Sequence, residues 1–260
     1  MTLKVFITGA SSGIGEALAV YYAAQGATLG LAARRADFLD GLNRRLGGAH
    51  ATFALDVRDA PALRAAAEAF IPRCGVPDIV IASAGVSAGT LTEHAEDLDA
   101  FRQIMDTNVF GMAATFAPFI PAMRAASGEP GTRRRLVGIA SVAGIRGLPG
   151  AEAYSASKAA AISYLESLRL EMKPYGIEVV TIAPGYIETP MTAVNGYRMP
   201  FLLAPDMAAA RFARAIERGA TYAVIPWQMG VVAKLLRVLP NWLYDRLFLR
   251  APRKPRDLLK

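Results

Sequence analysis

Seven short apolar runs alternate with longer stretches in which an apolar residue recurs every three or four positions. The runs lie at residues 3–8, 28–33, 51–55, 78–83, 135–140, 177–183 and 222–225. They are continuous rather than alternating, which suits strands buried on both faces of a parallel sheet. Helical spacing covers 16–25, 37–46, 60–71, 97–126, 151–173 and 208–218. Gly26 closes the first of these helices, Pro174 and Gly176 end the one at 151–173, and Pro184-Gly185 stops the sixth strand. Gly111, Pro118 and Pro121 predict a kink or break within 97–126. Residues 127–132 read as a loop. The β-α alternation predicts an α/β fold, a single doubly wound parallel sheet of about seven strands with helices on both faces. No boundary or repeat divides residues 1–226. Beyond them, residues 227–260 read as an extension with two short, apolar, basic helices separated by Pro240.

Composition narrows the class. Apolar residues make up 53% of the 260, enough for a well-filled core, and no apolar run is long enough to span a bilayer. The first residues turn too early for a signal peptide, so a cytoplasmic protein is expected. A single cysteine, Cys74, forms no internal disulfide, and His50 and His94 stand alone, so no metal is expected. Net charge is +7, but eight basic and two acidic residues between 234 and 260 account for +6 of it. A nucleic-acid protein would spread its cations over a groove-facing surface, so nucleic acid is not expected as a partner.

Two local patterns carry chemistry. Gly9, Gly13 and Gly15, with Ser11, Ser12 and Ile14 between them, form the first strand-to-helix turn. Glycines there admit positive φ and close approach of a phosphate, and the helix start offers free N–H groups. The spacing, G-x-x-x-G-x-G, departs from the usual dinucleotide fingerprint. Separately, Tyr154-Ser-Ala-Ser-Lys158 places a phenol and an ammonium one helical turn apart. A nearby cation favours the phenolate, so the pair suits general acid/base work. Chance alone yields such a pair in roughly one chain of this composition in five.

Together, Thr8-Gly-Ala-Ser-Ser-Gly-Ile-Gly15 and Tyr154-x-x-x-Lys158 resemble the short-chain dehydrogenase/reductase family. Further pieces follow in order: Leu55-Asp56-Val57, Asn108-Val-Phe-Gly111, Ile139-Ala-Ser141 and Pro184-Gly-Tyr-Ile-Glu-Thr-Pro190. The resemblance runs from about residue 3 to about 225 and implies a Rossmann-like fold. It implies Tyr154 as the acid/base, Lys158 as its modulator and a ribose contact, and Ser141 orienting the substrate carbonyl. Asn108 would sit where its helix is interrupted and hold a water in a proton relay. Asp56 would meet the adenine with Val57 packing nearby, Ala84 and Gly85 would lie beside the adenosine, and Ile187 and Thr189 would hold the carboxamide after Pro184-Gly185. One departure is Ala82-Ser83-Ala84-Gly85, where relatives usually carry Asn-Asn-Ala-Gly.

The end of the second strand bears on the cofactor. NAD-using relatives place an acid where this chain has Ala33, and Arg34-Arg35 follow. Arginine there accommodates a 2′-phosphate, and Ser11 and Ser12 could add hydroxyls. NADP(H) is therefore expected over NAD(H). The expected reaction interconverts a ketone or aldehyde and an alcohol. A Met/Phe/Leu-rich loop, 186–206, suits a lipophilic small molecule or merely packs down. A 3-oxoacyl-thioester or sphingoid-type ketone is one narrower reading; an NADP redox sensor without turnover is another. Relatives pair their two long helices, so a homodimer or homotetramer is expected. The tail could contact a membrane peripherally through 228–250, cover the cleft, or pack in an interface.

Overall fold

The computed structural model describes residues 2–127 and 133–259. Seven parallel strands form one sheet: β1 (Lys4–Thr8), β2 (Thr28–Ala33), β3 (Ala51–Ala54), β4 (Ile79–Ala82), β5 (Arg134–Ile139), β6 (Ile177–Pro184) and β7 (Tyr222–Ile225). Their spatial order is β3-β2-β1-β4-β5-β6-β7. The chain starts at β1, moves out to β3, and returns across β1 to place β4 on its other side. Val5 accordingly pairs with Leu29 of β2 and with Ile79 of β4. Such a reversal opens a crevice at the strands' C-terminal ends, where α/β proteins bind ligands.

Successive strand side chains point to opposite faces, and both faces are covered. Val5 and Ile7 pack with α1 (Gly13–Ala24), α2 (Ala36–Arg45) and α9 (Pro205–Glu217) through Leu18, Leu39 and Phe212. Phe6, between them, faces the opposite layer, where α3 (Ala60–Cys74) and α7 (Glu152–Met172) supply Phe70 and Leu165. Phe6 contacts Phe53, Phe70 and Phe119 at centroid distances of 5.7, 5.5 and 4.6 Å.

The long helix expected over 97–126 is several pieces. They are α4 (Asp97–Met105), a π-helical turn (Asp106–Phe110), α5 (Gly111–Phe116) and α6 (Ile120–Ala125). Pro118 falls in the gap and Pro121 in the first turn of α6, where a missing N–H costs nothing. Conversely, α3 runs past Pro72 to Cys74, the proline falling in its last turn; Gly75 then ends it, its N–H donating to Ile71 O at 2.8 Å. The α9 helix starts at Pro205, three residues before the apolar period that predicts it. A short helix, α8 (Pro190–Ala193), has no sequence period and rests on a capping box between Thr189 and Thr192. The loop expected at 127–132 lies outside the described residues from 128 on.

The extension forms α10 (Trp227–Val238) and α11 (Asn241–Phe248). Met229 and Ala233 of α10 and Tyr244 of α11 are buried, so both helices lie on the domain.

Candidate active site

The turn between β1 and α1 is built by steric need. Gly9 has φ of 72°, and a Cβ there would sit 2.7 Å from the backbone of Ala84. A Cβ on Gly15 would meet the carbonyl oxygen of Gly9 at 2.3 Å. The turn thus packs against the end of β4 with no side chain between, and Ser12, the N-cap of α1, makes no side-chain cap. The uncapped helix start borders a cavity of about 330 Å³. Gly9, Ser11, Ser12, Gly13, Ile14 and Gly15 form one wall. Arg34, Arg35, Asp56 and Val57 come from the ends of β2 and β3, and Ala84, Gly85 and Thr189 close the other side.

The far wall is basic. Arg35 donates from Nη2 to Ser11 Oγ at 3.1 Å and to Ser11 O at 3.3 Å, and its guanidinium lies 3.9 Å over the Phe38 ring. Ala33 ends β2. Arg58 forks onto Asp56, with Nη2 to Oδ2 at 2.7 Å, and holds that carboxyl below the usual range, with Arg34 adding to the effect. The cradle therefore fits a dinucleotide: close glycine backbone, free helix N–H groups, and two guanidiniums where an acid would otherwise face a ribose. Thr107, to which the sequence assigns no role, also lines this cavity, as do Val86 and Ser83, the latter part of the Ala82–Gly85 departure. The Ser83 hydroxyl is buried with no hydrogen-bond partner, a signal only packing reveals.

A second cavity, of about 270 Å³, adjoins the first, and Met191 lines both. Ser141, at the C-terminal end of β5, and Tyr154, in the first turn of α7, sit together in its wall. Ser141 Oγ accepts from Ala143 N at 3.1 Å and lies close enough to the Tyr154 phenol to favour its ionised form. Burial pushes the phenol up from its ordinary value; the Ser141 contact pulls it down.

Lys158 lies one turn on, buried, its Nζ 5.8 Å from the Tyr154 ring centroid. That Nζ donates to Ile139 O at 2.9 Å, and burial lowers the ammonium to about 8. Asn108 is fully buried inside the π-helical turn. Its amide pairs twice with Val86, Oδ1 accepting from N at 2.9 Å and Nδ2 donating to O at 3.0 Å. Nδ2 also reaches Ser157 Oγ at 3.0 Å, beside Lys158. Asn108 thus ties the end of β4 to α7.

Not every expected residue reaches the cavities. Gly185 lines the second. Pro184 is buried at the end of β6, and the Ile187 side chain packs in the core while its backbone forms a β-bridge with that of Leu203. Within the loop, Met191 and Tyr197 line the second cavity, whereas Phe201 and Leu202 are exposed and Leu203 is buried in the core. The loop is therefore only partly a lid. The rest of the roof comes from the extension: Phe248, Ala251, Pro252 and Lys254 line the same cavity. Of the tail's alternatives, cleft covering is what the fold displays; helical periodicity cannot show where a terminal segment docks.

The chain belongs to the short-chain dehydrogenase family, whose model matches residues 3–198. It is an oxidoreductase acting on CH–OH groups and using a nicotinamide cofactor. An uncharacterised oxidoreductase of Myxococcus xanthus is 38% identical over 92% of this chain and 93% of its own length. A cattle protein (Bos taurus), dehydrogenase/reductase SDR family member 7B, is 32% identical over 97% of this chain and 82% of its own length. Among solved structures, a short chain dehydrogenase from Burkholderia cenocepacia in complex with NADP superposes with a TM-score of 0.80 at 25% identity, covering 95% of this chain and 97% of that one. Members of the family act on small molecules and usually oligomerise.

Proposed function

We propose that this protein interconverts a lipophilic ketone or aldehyde and the corresponding alcohol with NADP(H), using Tyr154 as the general acid/base. The observation that carries this reading is the Tyr154–Ser141 pair in a largely apolar cavity that shares Met191 with the dinucleotide cradle. The nicotinamide, when bound, donates or accepts the hydride. Ser141 holds the substrate oxygen, and Tyr154 gives it a proton or takes one. The Lys158 ammonium favours the phenolate, and Asn108 fixes the backbone around it. Arg34 and Arg35, with Ser11 and Ser12, take the 2′-phosphate. Asp56 and Val57 border the adenine, Ala84 and Gly85 the adenosine, and Gly185 and Thr189, with the backbone of Ile187, the carboxamide end. Val142, Leu148, Pro149 and Phe248 give the substrate cavity apolar walls.

Residues 1–226 form the catalytic domain in this reading, and 227–260 complete its cleft. A homodimer would cover the exposed Leu98, Phe110 and Leu170 on α4, the π-helical turn and α7.

Consumption of NADPH with a panel of neutral ketones, compared with Tyr154→Phe, tests the proposal. Loss of general acid catalysis predicts a fall in kcat of about 10²–10⁴-fold. A wild type no faster than the variant on every ketone would overturn it.

A further inference from the structure

After α11 the chain crosses the mouth of the second cavity and is fastened on both sides. On one side, Gly89 N donates to Pro255 O at 2.8 Å. Arg256 forks onto Asp97, Nε to Oδ2 at 2.7 Å and Nη2 to Oδ1 at 3.1 Å, and reaches Glu96 Oε1 at 3.0 Å. Asp97 also accepts from Leu91 N at 2.9 Å, so its carboxylate is fully engaged. On the other side, Lys254 Nζ donates to Met191 O at 2.9 Å, against α8. Lys254 therefore spans the cavity mouth, held by backbone at one end and by its own ammonium at the other.

The charge balance of that cavity is one-sided. Lys254 and Arg198 line it, and among the described residues no Asp, Glu or His does. Arg198 is exposed at the rim. Lys254 is half-buried, and burial lowers its ammonium to about 8. An ammonium carries three donors, and Met191 O takes one. Half-burying a cation without a counter-ion is unfavourable, and a leucine or methionine would close the roof without that cost. A lysine often snorkels into water, but this one turns inward to a carbonyl of the cavity wall.

We propose that the substrate is amphipathic, with an apolar body between a reacting oxygen at Tyr154 and Ser141 and a carboxylate-like anion held by Lys254, with Arg198 at the rim. This rests on the reading of Tyr154 as the reacting end. Medium-chain oxo-carboxylates and hydroxy-carboxylates are the class that fits. Because Met191 also borders the dinucleotide cradle, the same ammonium could meet a cofactor phosphate, and the experiment separates the two sources.

A medium-chain oxo-carboxylate and its methyl ester are titrated calorimetrically into the full chain with NADP+ bound, for wild type, Lys254→Met and Lys254→Arg. The wild type is expected to bind the acid at least tenfold tighter than the ester. Lys254→Met should reduce that ratio below threefold, and Lys254→Arg should keep most of it, which separates charge from folding. Equal binding of acid and ester, no binding of either, or a ratio untouched in Lys254→Met overturns the proposal. A tenfold loss of NADPH affinity in Lys254→Met with the acid/ester ratio intact assigns the ammonium to the cofactor and also overturns it. Failure of the underlying reading shows separately, as absence of NADPH consumption with neutral ketones and with the oxo-carboxylate alike.

Discussion

Arg34 and Arg35 face the same cavity but are not equivalent. Arg35 is already engaged by Ser11 and stacked on Phe38. Arg34 makes no hydrogen bond among the described residues and lies near the Asp56 carboxylate, so it is freer to meet a 2′-phosphate. A charge-assisted contact contributes about 1.5–3 kcal/mol, or roughly 10–100-fold in affinity at about 1.4 kcal/mol per decade. Arg34→Ala should weaken NADPH binding by that factor and leave NADH binding nearly unchanged, as read by fluorescence titration. NADH binding the wild type as tightly as NADPH would refute the preference. The identity of these arginines is legible in the sequence because they follow a strand end at a set distance from the glycine turn. Their division of labour is not, since Phe38 and Ser11 meet Arg35 only in the folded turn.

Among the elements, α10 and α11 are joined to the preceding domain by several bonds, of which one side chain makes the most. Arg146, in the segment between β5 and α7, donates to Leu236 O and, at 2.8 Å, to Leu239 O, two carbonyls at the end of α10. It also reaches Asn241 Oδ1 at 3.0 Å and lies 3.9 Å over the Tyr244 ring. Tyr244 returns a bond to Gly147 O at 2.5 Å. These carbonyls have no intrahelical partner, so Arg146 acts as the C-cap of α10 and the dock of α11. Arg146→Ala should loosen α10 and α11 by about 2 kcal/mol. Amide hydrogen exchange is expected to accelerate there and not in β1 or β4. Uniform acceleration, or none, would show that α10 and α11 are held another way. The two helices are visible in the sequence through their apolar period; the arginine that fixes them lies about ninety residues earlier and looks like any surface cation.

On the scale of the molecule, α10 and α11 leave an uncovered apolar face. Trp227, Leu235, Val238, Trp242, Leu247 and Leu249 are each more than half exposed. Exposed Lys234, Arg246 and Arg250 interleave with them. No helix among the described residues is long and apolar enough to cross a membrane, but aromatic and leucine side chains among cations suit an anionic bilayer surface. Each such cation contributes about 1 kcal/mol near anionic lipid. The chain has two tryptophans, both on this face, so emission reports on it directly. A blue shift and co-sedimentation are expected with anionic vesicles and not with zwitterionic ones. An emission shift that follows protein concentration without vesicles would assign the face to a second copy instead.

The sequence by itself determined the sheet, the glycine turn and the Tyr154–Lys158 pair. Each rests on short-range physics: continuous apolar runs, positive φ, and one helical turn. It also carried Ser141 and Asn108 to the right strand end and helix through the family resemblance. Only the tertiary structure decided that Ile187 turns into the core, that half the 186–206 loop is no lid, and that Lys254 roofs the cavity. Those outcomes depend on contacts between residues far apart in the chain, whose free energies are set by burial and by partners that no local pattern encodes.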